Sequence, residues 1–329
     1  MILIHVGLMF FTLQDHVSLQ RVYVYSKKIF AIVLIPATVI FLLSVVGISL
    51  PSVHLDADMG KLETGQAYRL YMGVAVMLEN AGEEMPRLCG LFREPGFVGT
   101  LGALFLLGDK FTFKKWENTV IFVSCVFTFS VAFYLLFILG LLLKKVVASN
   151  TKRGLISGIL AIVLVVGAYF AFLVIPFTES SPFAELQERL VITEDGLAGD
   201  NRMTEEYAVA AYENWAESGT KKVLFGYGED NRKVPGTNRT IWQKAHSVKE
   251  YIYNFGVLAL VILLVTLIAS TLVKYRGVKG ISKRYILVLL IIFILSIYQR
   301  YAVCKFFYLC ALFGGASNLA LLGEEPKDE

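Results

Sequence analysis

Long apolar stretches alternate with short polar ones along most of this chain. Residues 29–50, 154–176 and 253–273 are each apolar over roughly 18 positions or more, the length at which a helix crosses a bilayer. Residues 285–297 and 302–322 form a further apolar pair around the polar turn YQRY. Residues 1–13 are apolar but too short to span alone. They lack a basic n-region and a small-residue cleavage site, so they read as the tail of a spanning helix whose beginning is missing. Basic polar segments mark the cytoplasmic side. Residues 14–28 (Arg21, Lys27, Lys28), 109–116 (Lys110, Lys114, Lys115) and 274–284 (KYRGVKGISKR) fit it. Residues 51–84 carry Asp56, Asp58, Glu63, Glu83 and Glu84 and are expected outside, with residues 68–78 as a short surface helix. Residues 85–107 are expected to return as a helix that Pro95 and Gly96 kink or start.

Residues 117–143 decide the topology. As one span they would put Lys144, Lys145, Lys152 and Arg153 outside, against the charge bias. Two short helices, 118–125 and 132–143, avoid this. The break falls near Thr128–Ser130, where hydroxyls can satisfy freed backbone groups, and a broken helix is tolerated where it lines a protein cavity. The expected organisation is therefore transmembrane helices over 1–176 with a helical hairpin at 117–143, a large extracytoplasmic loop at 177–251, C-terminal transmembrane helices at 252–322 and a disordered tail at 323–329. The fold class is all-α: a polytopic helical membrane protein with broken or re-entrant helices.

Composition agrees. The chain has 329 residues, 56% of them hydrophobic, and a mean hydropathy of +0.62. Cys89, Cys125, Cys304 and Cys310 form no CxxC pair and lie in or beside apolar segments, so they read as small buried hydrophobes, with no zinc site or disulfide framework.

Two stretches carry candidate chemistry. RLCGLFREPGFVGTLGALFLLG, residues 87–108, sets Arg87, Arg93 and Glu94 against a Pro-Gly break at the mouth of an apolar helix. AHSVKEYIYNFGVLAL, residues 245–260, sets His246 at the mouth of another. Charge at membrane depth is costly and marks function, so the two are expected to face one site. The large loop divides by charge: residues 179–217 hold ten acids against Arg189 and Arg202, and residues 221–249 hold seven bases against Glu229 and Asp230. The basic half suits an anionic ligand. Met203, Tyr207, Ala211 and Trp215 recur every fourth residue, a helix stripe best read as packing.

These residues also carry a resemblance. RLCGLFREPGFVG resembles the Arg-x-x-Gly-x-Phe-x-Glu-Pro-Gly signature of bacterial O-antigen and exopolysaccharide polymerases. GYGED followed by AHSVKEYIYNFGVLALVILL resembles the Gly-x-Gly and His-Asn/Ser motifs of the O-antigen ligase/polymerase superfamily. DNRMTEEYAVAAYENW is similar to that family's Arg-containing helix, and IYQRY to a recurrent Gln-Arg turn. The resemblance covers residues 81–301. The family's members carry more spans than this chain, the others being expected ahead of Met1. Many ligases also place an Arg just after a Thr-x-Ser break, and TFSVAF has none, which leans toward polymerase.

What the resemblance implies is a metal-independent glycosyltransferase of the bacterial inner membrane. It would polymerise undecaprenyl-diphosphate-linked oligosaccharide repeat units into O-antigen, capsule or exopolysaccharide. No cofactor and no metal are implied. Its partners would be the lipid-linked glycan donor, a glycan acceptor, the bilayer, a chain-length regulator and a flippase, with no nucleic acid. His246 would be the general base or acceptor-orienting group, since imidazole accepts a proton at neutral pH. Arg202 and Arg87 would join it as catalytic residues against the leaving pyrophosphate. Arg93, Glu94, Gly226, Gly228 and Arg300 would bind substrate. A ligase that transfers polymer to lipid A core is the alternative. A membrane transporter, which also uses broken helices and membrane-depth charges, is the second.

Overall fold

The computed structural model describes residues 2–55, 66–80, 86–92, 94–148, 206–228, 248–299 and 306–322, with scattered positions between 156 and 197. The chain is mostly helical, and among the described residues three helices are long and apolar enough to cross a membrane. It is not all-α, however, because an antiparallel sheet interrupts the helices.

Helix α1 (Ile2–Leu13) leads into α2 (His16–Val45), whose first turn is capped by Asp15 accepting from the Ser18 N–H at 2.8 Å. The helix expected to begin at residue 29 already runs from His16, so most of the polar stretch 14–28 is its first part. The inward stripe of α2 is Leu19, Tyr23, Lys27, Phe30, Ala31, Leu34, Ala37 and Phe41, at three- and four-residue spacing. Ile29, Ile32 and Val39 on its other side are exposed. A helix that is apolar both inward and outward suits a protein interior on one side and lipid on the other.

The sheet has the order β1 (Ser52–Leu55), β2 (Gln66–Tyr71), β3 (Ala75–Asn80), β4 (Arg87–Gly90). The expected surface helix over 68–78 is thus a hairpin. Its turn runs through Met72 and Gly73, both at positive φ, and the Val74 N–H closes onto the Tyr71 carbonyl at 3.0 Å. That is the type I′ geometry that matches strand twist. Side chains alternate across the sheet. Ala75, Met77 and Leu88 join the main helical core, while Tyr68, Val76, Leu78 and Cys89 form a separate small cluster on the other face.

The helix expected over 85–107 is split the same way. Residues 87–90 are strand, and α3 (Pro95–Gly108) begins at the proline. Proline suits the first helical position because its missing N–H would be unbonded there anyway. It also drives the preceding residue out of the helical region, and Glu94 is extended at φ −149°, ψ 139°. Fourteen residues make α3 about 21 Å long, short of a bilayer core.

Next come α4 (Trp116–Val126) and α5 (Val131–Ala148), separated by residues 127–130. Within residues 177–251 follow the two-residue strands β5 (Ile192–Thr193) and β6 (Gly196–Leu197), then α6 (Glu206–Glu217) and α7 (Thr220–Phe225). Helices α8 (Val248–Lys274) and α9 (Gly280–Gln299) follow, and α9 packs against both α3 and α8. The last helix, α10 (Phe306–Leu321), widens to a π-helical turn over Cys310–Gly314. The Tyr275 hydroxyl occupies that widened turn, donating to the Phe313 carbonyl at 2.6 Å. Cys89, Cys125 and Cys310 are buried thiols.

Candidate functional site

Polar groups gather at both ends of α3. At its start, β4 lies against the break between α4 and α5. A helix end leaves carbonyls without intrahelical donors, which is costly away from water. Three successive ones are met from β4. The Leu88 N–H donates to the Phe127 carbonyl at 3.1 Å. The Arg87 guanidinium donates to those of Thr128 and Phe129, each at 3.1 Å. The Thr128 hydroxyl donates to the Cys125 carbonyl at 2.6 Å and accepts from the Ser130 N–H at 3.2 Å. Phe129 is held at φ 46°, an uncommon conformation for an L-residue outside a turn. Arg87 is thus the clamp that shapes the break, with two of its N–H groups committed to backbone.

A second place where one segment answers freed carbonyls of another is the docking of residues 226–228 onto α8. Helix α8 is interrupted at Gly256, which sits at φ 80°, ψ 168°. The interruption frees carbonyls upstream, and the loop supplies donors to them. The Tyr227 N–H reaches the Tyr253 carbonyl and the Gly228 N–H the Asn254 carbonyl, both at 2.9 Å. Close approach requires glycine on both partners. A methyl at Gly226 would lie 2.5 Å from the Asn254 carbonyl, and one at Gly256 would strike the Leu224 carbonyl. The first use of Gly226 is therefore to let backbone meet backbone. Gly228, also at positive φ, has open space around its Cα.

Aromatic side chains cover this junction. Tyr227 stacks on Tyr253 at 4.9 Å, and Trp215 of α6 packs with Tyr253 while its indole N–H holds the Lys222 carbonyl at 3.2 Å. The Lys222 ammonium stands 4.6 Å from the Tyr227 ring centre. Of the stripe read from the spacing, Ala211 and Trp215 pack in this cluster, while Met203 and the Tyr207 side chain lie outside the described residues. Asn254 is 1% exposed, and neither its Oδ1 nor its Nδ2 has a hydrogen-bond partner. The Thr100 hydroxyl in α3 is likewise buried without one.

At the far end of α3 lies a buried charge cluster that the sequence reading missed. Lys27, 0% exposed, pairs with Asp109, 2% exposed, and stands 3.6 Å from Glu117. Asp109 also accepts from Lys115 at 3.0 Å, from Asn118 at 3.0 Å and from Asn318 of α10 at 2.9 Å. Asn318 reaches the Gly108 carbonyl at 3.0 Å as well, and Gln20 of α2 donates to its Oδ1 at 3.3 Å. Two cations face two carboxylates, so the cluster is neutral in sum. Burial by itself would raise the Asp109 carboxyl; the Lys27 ammonium, then Lys115 and Asn118, hold it below its ordinary range. One signal was present in the sequence: Lys27 occupies an inward position of the Leu19–Tyr23–Lys27–Ala31 stripe.

Of the residues singled out from sequence, the structure places Arg87 at the helix break, Glu94 at the N-cap of α3 without a side-chain capping bond, and Gly226 and Gly228 at the α8 junction. His246, Arg202, Arg93 and Arg300 lie outside the described residues. Among the described residues no group of three His, Cys, Asp or Glu side chains has the geometry to hold a metal ion. No family model, curated protein or solved structure matches the chain.

Proposed function

We propose that this chain is a multi-pass membrane glycosyltransferase of the bacterial inner membrane that polymerises undecaprenyl-diphosphate-linked repeat units. The reading rests on the motif resemblance. The observation that supports it best is the pairing of residues 227 and 228 with the carbonyls of Tyr253 and Asn254. Two motifs that are distant in sequence meet there, at the helix whose first residue, Val248, follows His246 by two positions. A second support is the helix break beside the Glu-Pro-Gly segment, an irregular backbone of the kind found where it is buried in protein or lines a cavity.

In this reading a sugar hydroxyl of the acceptor attacks the anomeric carbon of the donor glycan. The new glycosidic C–O bond forms as the bond from that carbon to the diphosphate oxygen breaks. His246 accepts the hydroxyl proton. Undecaprenyl diphosphate leaves as an anion, neutralised by Arg202, Arg93 and Arg300, whose guanidinium groups stay charged and bind two oxygens at once. Arg87 adds its charge while holding the break in shape. The hairpin of α4 and α5 enters from one side and shields the reacting groups from water.

The test is complementation in the parent strain. The gene is deleted and restored as wild type or as His246→Ala, and surface polysaccharide is resolved on a gel. Single repeat units capping the core, with no ladder, are expected for the deletion and for His246→Ala at unchanged protein level. Bare core with polymer stranded on its lipid carrier makes the chain a ligase instead. An unchanged ladder in the deletion removes the glycan reading.

A further inference from the structure

We propose that the start of α9 binds the phosphate group of an anionic membrane lipid, a site that does not depend on the glycosyltransferase reading. The inward stripe of α9 begins at Ser282 and continues through Tyr285, Ile286, Leu289 and Phe293, all buried. Ser282 is 4% exposed, and its hydroxyl has no hydrogen-bond partner. Folded proteins rarely leave such groups unbonded, and each exception calls for a cause. The buried hydroxyls of Ser124, Thr271 and Ser296 each donate to the carbonyl three or four residues back. Ser282 lacks that outlet, because Val278 and Lys279 precede the helix. Thr100, which also lacks a partner, lies inside α3 rather than at a helix start.

The surroundings of this hydroxyl are positive. The first turn of a 20-residue helix carries main-chain N–H groups without intrahelical acceptors and the positive end of the helix dipole. Helical side chains lean toward the N-terminus, which directs the Ser282 hydroxyl to that end. Residues 274–284 hold Lys274, Arg276, Lys279, Lys283 and Arg284 and no acid. A further cation comes from the turn between α3 and α4, where Lys110 and Phe111 are both left-handed, at φ 54° and 53°. The Phe111 ring fits against Gly140 of α5, where a methyl would lie 2.8 Å from it, and the Lys144 ammonium donates to the Lys110 carbonyl at 2.5 Å. The turn so held sets the Lys110 ammonium 5.2 Å from the centre of the Tyr285 ring, three residues on from Ser282 on the same face. Main-chain N–H groups, a hydroxyl and ammonium groups together suit a phosphate. Lys279, Gly280, Ile281 and Lys283 are exposed, so the helix start lies at the protein surface. Depth selects the source of the phosphate. Gly280–Ile297 is an apolar helix of 18 residues. It is about 27 Å long, close to the roughly 30 Å of a hydrocarbon core, which puts Gly280 at headgroup level.

The purified full chain is melted in maltoside micelles carrying phosphatidylglycerol or, as reference, phosphatidylcholine, and affinity is read from the rise in melting temperature with lipid fraction. Wild type is expected to melt higher with phosphatidylglycerol. Ser282→Ala should melt like wild type in phosphatidylcholine but bind phosphatidylglycerol about tenfold more weakly, as for a lost hydrogen bond to a charged group. Lys110→Gln should weaken binding about fivefold, while Arg21→Gln, which removes an exposed cation of α2, should change it less than about twofold. Equal stabilisation of wild type by the two lipids overturns the proposal. Equal losses in Arg21→Gln and Ser282→Ala also overturn it, because a diffuse field then replaces a site. A Ser282→Ala protein that melts lower in phosphatidylcholine does the same, because the hydroxyl then serves the fold. Inorganic phosphate that stabilises wild type as much as phosphatidylglycerol at equal concentration overturns the lipid as the source.

Discussion

The two ends of α3 solve opposite problems with the same kinds of residue. At the Asp109 end, Lys27, Lys115, Asn118 and Asn318 donate to one carboxylate, and Lys27 also faces Glu117. At the Pro95 end, backbone rather than side-chain charge is the problem. Arg87 and Leu88 answer three carbonyls of a helix break there; elsewhere, residues 227–228 answer two more at the α8 kink in the same way. The first end is a balanced lock. Each end keeps one buried polar atom without a partner, Asn118 Oδ1 at the first and the Thr100 hydroxyl at the second. What separates the two ends is what is being matched, side-chain charge at Asp109 and main-chain carbonyls at Arg87.

The largest test of this contrast is to break the lock. Lys27→Met leaves Asp109 and Glu117 buried with one fewer cation, and should destabilise the fold by about 3–5 kcal/mol. Chemical unfolding in detergent, or loss of protein from membranes, would register it. Lys27→Met combined with Asp109→Leu should recover most of that loss, because no unpaired charge remains at their contact. A harmless single variant would show that water already reaches the cluster.

Next in size is the α8 junction. Gly226→Ala forces a methyl against the Asn254 backbone at φ 74°, at a cost of about 1–3 kcal/mol. It should undock residues 219–228, seen as faster proteolysis between α6 and α8. Gly228→Ala has a similar φ of 81° but open space, so it should cost about 1 kcal/mol and leave the junction docked. Equal proteolysis of the two variants would mean that the close approach does not hold the loop.

Arg87→Lys is smaller again. It keeps the charge but cannot donate to two carbonyls in one plane, so about 1–2 kcal/mol of stability should go. If the clamp shapes the site, polymer yield falls further than protein level; a parallel fall assigns Arg87 to folding alone.

The smallest effect is in pH. The folded Asp109 carboxyl lies below its ordinary range, so its contribution is fully present above the unfolded value of about 3.9 and is lost as pH falls through the folded one. Wild type should lose melting temperature below about pH 4, and Asp109→Asn should start lower and show a flatter acid limb. Parallel acid limbs would sink the assignment.

Several features were legible because they depend on local pattern. The approximate positions of α8 and α9 follow from apolar run length, each helix extending a few residues beyond its run. The Trp215 stripe, the helix-stopping character of residues 127–130 and the helix-starting character of Pro95 follow from spacing and backbone chemistry. The hairpin of β2 and β3 was misread as a helix because its six-residue strands, joined through Met72 and Gly73, carry too few periods to separate alternation from helical spacing. Lys27 was misread because a lysine at a helix end ordinarily marks water, and its partner Asp109 stands 82 residues away.

By itself, then, the sequence determined that the chain has helices long and apolar enough to cross a membrane, roughly where they run, and which residues interrupt them. Hydropathy and backbone restriction act over a few residues, so a linear chain displays them. Only the tertiary structure decided that Arg87 holds a helix break, that Gly226 and Gly256 exist to let two backbones meet, and that Lys27 is buried against Asp109. Those outcomes depend on which distant groups are brought within 3 Å or so of one another in a medium without water, where an unmet donor or charge is too costly to leave.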